Sequence, residues 1–411
     1  MKKSTINIEM AEMKMKISSV ICEYNPFHNG HEYMLRKMRE GGATHIIACM
    51  SGNFTQRGIP AVYDKFTRAK AALLCGADLV TELPVSFACA GAEHFAFGGV
   101  SVLNSLGCVD ELCFGSESGN IGLLKKTAEY ITDDCVCESL KKYLAQGMTF
   151  AAARQNAAAE LYGEECATML TSPNDILGIE YIKALNQLKS RMVPKTIQRQ
   201  GAAHDSEKAD GNTASAMYIR RLIQCGDDLF AQLMPGRAFD VFMSSKNQPP
   251  ECGRHTKLEG FMLYRLRTMT QRQIAQLPEV SEGLENRIFQ AIRTACSIEE
   301  VINRTKTKRY TYARIRRILN YALLGITKQD YSMPVQYIRI LGFNERGREI
   351  LKSAKKTSSL PIIMRYADIR QPGTDAVRMF DLESRADDIY SMSGEKIFPC
   401  GTNMTAKPVI L

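Results

Sequence analysis

No stretch of the 411 residues approaches the roughly 18 consecutive apolar residues that a membrane-spanning helix needs, so no membrane partner is expected. The first sixteen residues mix Glu and Lys without an apolar core segment, which excludes a signal peptide and leaves residues 1–16 expected as a disordered N-terminal extension. No CxxC pair occurs among the thirteen cysteines, so a structural zinc site of the usual spacing is not expected and no metal ligands are assigned. An odd number of thiols without a secretion signal fits reduced cysteines in a cytoplasmic protein. Histidine is scarce too: six residues, of which two, His28 and His31, fall within four positions.

What is present describes an ordinary globular chain, long enough for two or three domains and a sizeable core. The net charge of +9 points to an acidic partner, nucleic acid being the commonest.

The histidine pair lies in Ile21 to Leu35, ICEYNPFHNGHEYML. An apolar run from Ile17 to Cys22 breaks at Asn25-Pro26, and His28-Asn29-Gly30-His31 opens a helix. A strand ending in such a turn leaves the first helical N–H groups aimed above the sheet, which makes an anion site. His28 and His31, at i and i+3, share one side, so both imidazoles can donate to one phosphate. Gly30 between them admits a close approach to the backbone. The competing reading is a pair of surface or capping histidines.

Further strands are expected at His45 to Met50, Leu79 to Leu83 and Leu112 to Gly115, with helices from about Gly30 to Arg39, Tyr63 to Leu74 and Glu93 to Leu106. This alternation predicts an α/β fold with a doubly wound parallel sheet, whose ligands bind above the carboxyl ends of the strands. The turn bearing the histidines, the segment Ser51 to Gly58 and the end of the fourth strand at Gly115-Ser116-Glu117 then share one rim. Arg57, Lys65 and Arg68 become candidates for phosphate or a substrate carboxylate, against the plainer reading of solvated charges.

Ile121 to Tyr162 reads as helix with a break near Gly147. Pro173 starts a helix reaching about Leu188, with Asn174 in its first turn as a cap or a ligand contact. A strand from Lys195 to Gln198 delivers Arg199. A polar loop, 200–212, then leads to a helix with hydroxyls in its first turn, a second phosphate-friendly arrangement. Composition changes near Pro235 and Pro249-Pro250, dividing an ATP-binding domain, 17–235, from a mostly helical basic domain, 250–411. Within the latter, Arg304, Lys306, Lys308, Arg309, Arg314, Arg316 and Arg317 stand with two tyrosines and no acidic residue. One-signed basic runs with Tyr suit an RNA backbone and stacked bases, whereas a solvated face usually mixes signs. Tyr337 to Leu341 reads as strand and Gly342 to Ser353 as helix, while the chain from about Asp368 carries little signal.

The HNGH turn resembles the HxGH signature of the nucleotidyltransferase superfamily. Taken with CMSGNFTQRGIPA, DLVTELP, FGSE, SPNDILGIEYIKAL, TIQRQGAAHD, TKRYTYARIRRILNYALLGI and LGFNERGREILK, the run EYNPFHNGH closely resembles the bacterial tRNA(Met) cytidine acetate ligase family. That resemblance implies a HUP-like Rossmann catalytic domain that uses ATP, with Mg²⁺, to activate acetate as acetyladenylate. The acetyl group then passes to the wobble cytidine of elongator tRNA(Met), giving N(4)-acetylcytidine. It also implies catalytic roles for His28 and His31. The ATP positions it implies are Ile21, Cys22, Glu23, Tyr24, Asn25, Pro26, Phe27, His28, Asn29, Gly30, His31, Glu32, Tyr33, Met34, Gly115, Asn174 and Arg199. Where the family is expected to read Pro-Asn-Asn, this chain has Asp175 in the last place. Two other readings compete: a small-molecule adenylyltransferase, which leaves the basic segment without a task, and an RNA-binding protein that keeps a nucleotide only as structure.

Overall fold

The computed structural model describes residues 15–199, 209–245, 256–370, 373–394 and 396–411. The expected N-terminal extension up to residue 14, residues 200–208 of the expected polar loop, and residues 246–255 at the expected domain boundary lie outside the described residues.

One sheet organises the chain. Its strands are β1 (Ile17–Cys22), β2 (His45–Ser51), β3 (Leu79–Leu83), β4 (Glu111–Ser116), β5 (Val193–Gln198), β6 (Ile338–Phe343), β7 (Ile362–Ile363) and β8 (Val409–Ile410). They run in the order β5-β4-β1-β2-β3-β6-β7, with β8 also paired to β6. β1 to β5 pair in parallel, and β6 lies antiparallel to β3. β2 is buried along its whole length, which is why its run of apolar residues is unbroken rather than alternating. Because β1 pairs with both β2 and β4, the order reverses at β1, and a crevice opens above its carboxyl end.

Helices cover both faces. On one side α1 (Asn29–Glu40), α2 (Lys65–Leu74) and the later helix Ala216–Cys225 bury Leu35, Met38, Ala69, Leu73, Ile219 and Leu222 against Val20, Ile46 and Val80. On the other, α3 (Ala92–Ser105), α4 (Pro173–Gln187) and the later helix Glu345–Thr357 bury Phe95, Val100, Ile182, Leu185, Ile350 and Leu351 against Ile17, Ile47 and Leu112. Gly98 and Gly99 of α3 let this layer close up: a Cβ there would meet Phe87 at 2.3 Å and Ile21 at 2.6 Å. The expected helix 121–162 is three helices, broken after Tyr130 as well as near Gly147.

Past the expected division at 235–250 the described chain first turns helical. The stretch 256–324 does form a helical layer with its own apolar cluster. The chain then returns to the sheet as β6, which extends β3 across residues Leu79 to Thr81. The helix Thr374–Tyr390, from the part of the chain with little sequence signal, packs Met379 and Phe380 into the same core as β1 and places Leu382 and Ala386 in the helical cluster. β6 and the helix Thr374–Tyr390 therefore share the core of the sheet, and β6 covers an edge of β3 that would otherwise stand open.

Candidate active site

His28 is the N-cap of α1, in extended backbone, and its Nδ1 accepts from Gly30 N–H at 3.1 Å. His31 reciprocates: its Nδ1 accepts from His28 N–H at 3.2 Å. The two rings stack with centroids 3.7 Å apart. Acceptance at Nδ1 fixes the tautomer of each neutral ring and leaves both protons on Nε2. The capping reading of these histidines and the catalytic one therefore coexist, since capping with one nitrogen is what sets the other as a donor.

Electrostatics agree with this assignment. Burial first, then the Arg199 and Arg220 cations, push the His28 imidazole down to about 3. Burial, the neighbouring His28 ring and Arg199 hold His31 well below the usual imidazole range. As pH falls through 6.5 both rings of the free protein stay neutral. Nitrogen NMR of histidine-labelled protein is expected to show two Nε2–H tautomers that do not titrate between pH 7.5 and 5. A resonance from either ring protonating near 6.5 would contradict the assignment.

Gly30 serves the pair rather than only a ligand: a Cβ there would lie 2.9 Å from His28 Cε1. Tyr24, in the left-handed region at φ 47°, and Phe27 set their edges against each other, and both lean on the His31 ring. Asn25–Pro26 is a cis peptide. Asn29 ties the turn to the segment across the crevice by donating to the carbonyls of Asn212 at 2.7 Å and Gln232 at 3.1 Å. Arg220 donates to the Asn25 carbonyl at 2.8 Å.

The other expected contacts gather beside β4 and β5. Arg199 follows β5 and its N–H donates to the Ser116 carbonyl at 3.0 Å. Gly115 makes room for it, since a Cβ there would stand 3.3 Å from Arg199 Cγ. Glu117, not assigned from the sequence, closes the start of α4: it accepts from Asn174 Nδ2 at 2.6 Å and from Asp175 N–H at 3.0 Å. Asp175 in turn accepts from Ser118 Oγ at 2.9 Å, so the residue that departs from the expected family pattern holds the β4 turn. The sequence signal for Glu117 is the FGSE run, which puts it on the rim without naming its partners.

The contiguous segment Ile21 to Met34 divides in the structure. Ile21, Tyr24, Asn25, Pro26 and Phe27 are buried. Cys22, Glu23, Asn29, Gly30, His31, Tyr33 and Met34 are half-buried and Glu32 is exposed. Glu23 accepts from Gln56 N–H at 2.7 Å, which fastens the loop after β2 to the turn.

Lys65 and Arg68, read as phosphate candidates, are structural instead. Lys65 is fully buried and pairs with Glu82 at 2.7 Å and Asp387 at 2.8 Å. Arg68 is fully buried and donates to the carbonyls of Tyr63, Glu23, Ser51 and Gly52. Arg57 is exposed and reaches Met217 Sδ at 3.8 Å.

The basic run gains acidic partners: Glu279 and Glu282 from the turns before Leu284, and Glu300 one turn earlier on the same helix as Arg304. Arg317 is held by both carboxylate oxygens of Glu279, and Arg314 donates to the Glu279 carbonyl at 2.6 Å while lying 5.3 Å from the Tyr310 ring. Arg309 pairs with Glu282 and Arg304 with Glu300. Arg316 reaches Tyr312 Oη at 3.3 Å. Lys306 and Lys308 are exposed, with no ion pair among the described residues.

A mostly parallel sheet that reverses at β1, with an HxGH turn above that strand, defines a nucleotidyltransferase. The chain belongs to the HIGH nucleotidyl transferase family, which matches residues 15–400. Within that class it falls among the tRNA(Met) cytidine acetate ligases. It is 40% identical to the tRNA(Met) cytidine acetate ligases of Acetivibrio thermocellus and Clostridium perfringens, over 92% of this chain and 95% of each relative. Its fold is that of Thermotoga maritima TmcAL, at 34% identity and with 97% of this chain and 100% of that chain covered. The TM-score is 0.90 to the apo form and 0.88 to the form bound with alpha-thio ATP.

Proposed function

We propose that this chain is an ATP-dependent ligase that joins acetate to the wobble cytidine of elongator tRNA(Met) through an acetyladenylate, forming N(4)-acetylcytidine. A carboxylate oxygen of acetate attacks the α-phosphorus of ATP, and pyrophosphate leaves. Charge gathers on the α-phosphate oxygens, where two fixed neutral donors, His28 and His31, and the start of α1 can meet it without reorganising. Arg199 supplies the full positive charge of the site: burial lowers it and Glu117 raises it, but its guanidinium stays protonated. The exocyclic amine of cytidine, delocalised into its ring, then attacks the acyl carbon, losing a proton as AMP departs.

Among the described residues no three His, Cys, Asp or Glu side chains converge as a metal cage. Mg²⁺ therefore enters, in this reading, on the phosphates of ATP, and no step is assigned to it. Lys306 and Lys308, with Arg304, Arg309 and Arg316, present positive charge to RNA phosphates. Arg314 and Arg317 brace the helices that carry them.

The observation that carries this reading is the HxGH turn, with its donors set, in a chain that matches acetate ligases along nearly its whole length. The test is nucleoside mass spectrometry of unmodified tRNA after incubation with the protein, ATP, Mg²⁺ and labelled acetate. Labelled N(4)-acetylcytidine dependent on ATP is expected. Its absence, with AMP instead retained in a small-molecule product, would identify an adenylyltransferase.

A further inference from the structure

The residues expected to hold the nucleotide lie on one flank of β1: Gly115 on β4, Arg199 after β5, and Asn174 beside Glu117. The other flank of the same rim, beyond the ends of β2 and β3, holds a cavity of about 590 Å³ counting its open mouth. Its walls include Asn53 after β2, Phe66 in the first turn of α2, Asp387 and Tyr390 from the helix Thr374–Tyr390, and Ser393 and Phe398 beyond it. The cavity is tied to the histidine turn through two hydrogen bonds on adjacent residues. Tyr390 Oη donates to the Ala61 carbonyl at 3.0 Å, and the next N–H, that of Val62, donates to Asn25 Oδ1 at 2.8 Å.

The polar part of this cavity is built rather than incidental. Asn53 Oδ1 accepts from Lys65 N–H at 2.7 Å while its Nδ2 donates to Asp387 Oδ1 at 2.8 Å. The other Asp387 oxygen lies 2.8 Å from Lys65 Nζ. Around this fixed amide and carboxylate stand three aromatic rings, Phe66, Tyr390 and Phe398. Rings around a polar patch suit a flat heteroaromatic molecule with hydrogen-bonding edges.

We propose that this cavity receives the acceptor pyrimidine nucleoside, swung out of its single-stranded loop, and so presents it from the side of β1 opposite the adenylate. The proposal rests on the ligase reading above. It assigns the nucleotide to the β4 and β5 flank and the acceptor to the β2 and β3 flank, with the reacting phosphate and acyl group over the histidines between them. An unstacked base in an RNA loop is held by stacking on aromatic rings, and the energy of withdrawing it is least where the strand is unpaired.

Two variants test it: Ser393→Trp fills the cavity, and Phe398→Ala removes a stacking ring. Each is assayed for acetate-dependent pyrophosphate exchange without RNA and for acetylation of tRNA(Met) by the wild-type protocol. Exchange is expected within twofold of wild type, which also reports an intact fold. Acetylation kcat/KM is expected to fall about tenfold or more for Phe398→Ala, the scale of one lost stacking contact, and further for Ser393→Trp. Wild-type acetylation by both variants would overturn the cavity assignment. So would loss of exchange in both, which would place the cavity in adenylate formation. A wild-type protein that acetylates no cytidine sinks the ligase reading itself, a result separable from either.

Discussion

His28→Ala abolishes measurable acetyladenylate formation while leaving affinity for tRNA unchanged. The expected loss in acetate-dependent pyrophosphate exchange is on the order of 10²–10³-fold for one preorganised donor, and His31→Ala should lose a similar amount. The alanine removes two things at once, because His28 also caps α1 through Nδ1. Loss of the cap alone costs about 1 kcal/mol of stability. His28→Asn separates the two effects: an asparagine oxygen can accept from Gly30 N–H, but its short side chain puts no donor where Nε2–H stood. The asparagine variant is therefore expected to melt near wild type and to be as inactive as the alanine variant. Substantial exchange by His28→Asn would mean that the histidine acts only by shaping the turn.

Lys65→Met is expected to be the most destabilising single change in the sheet, by roughly 3–5 kcal/mol in urea unfolding. It leaves Glu82 and Asp387 buried without their cation, beside a third carboxylate, Glu383. Burial, with the neighbouring carboxylates adding to it, already raises Asp387 to about 6 and Glu383 well above the usual carboxylate range. The double change Lys65→Met with Asp387→Asn removes one charge of each sign and should recover part of the loss. Pyrophosphate exchange per folded molecule should be little altered in Lys65→Met. If exchange fell in proportion to a lost phosphate ligand while stability held, the reading of Lys65 as a structural cation would be wrong.

Strands β1 to β4 are legible because each is a short, mostly buried run bounded by turn residues, and such runs announce themselves locally; β5, largely uncovered, is legible only by its turn and its neighbours. The histidine turn was legible for the same reason: cap, glycine and partner lie within four positions. Lys65 and Arg68 were misread because burial of a cation is decided at a distance. Glu82 comes from β3, and Asp387 stands more than three hundred positions away in a helix whose sequence gave no cue. The basic run was read as single-signed for a like reason. Glu300 stands four residues before Arg304 on one helix, but Glu279 and Glu282 belong to other segments, and only packing brings them within reach. The antiparallel return of β6 had no local sign either, since YIRIL reads as a strand without saying which edge it will join.

That return also sets a timetable for the ribosome. β3 emerges with one edge waiting for a partner that is encoded about 250 residues later. At roughly 5–20 residues per second, the wait is on the order of ten to fifty seconds. Until then a nascent chain carries β3 with an unpaired edge, a template for pairing with another chain. The β3 edge is therefore longest open between the emergence of Leu83 and that of Ile338, the interval in which shielding of the nascent chain would have its largest effect.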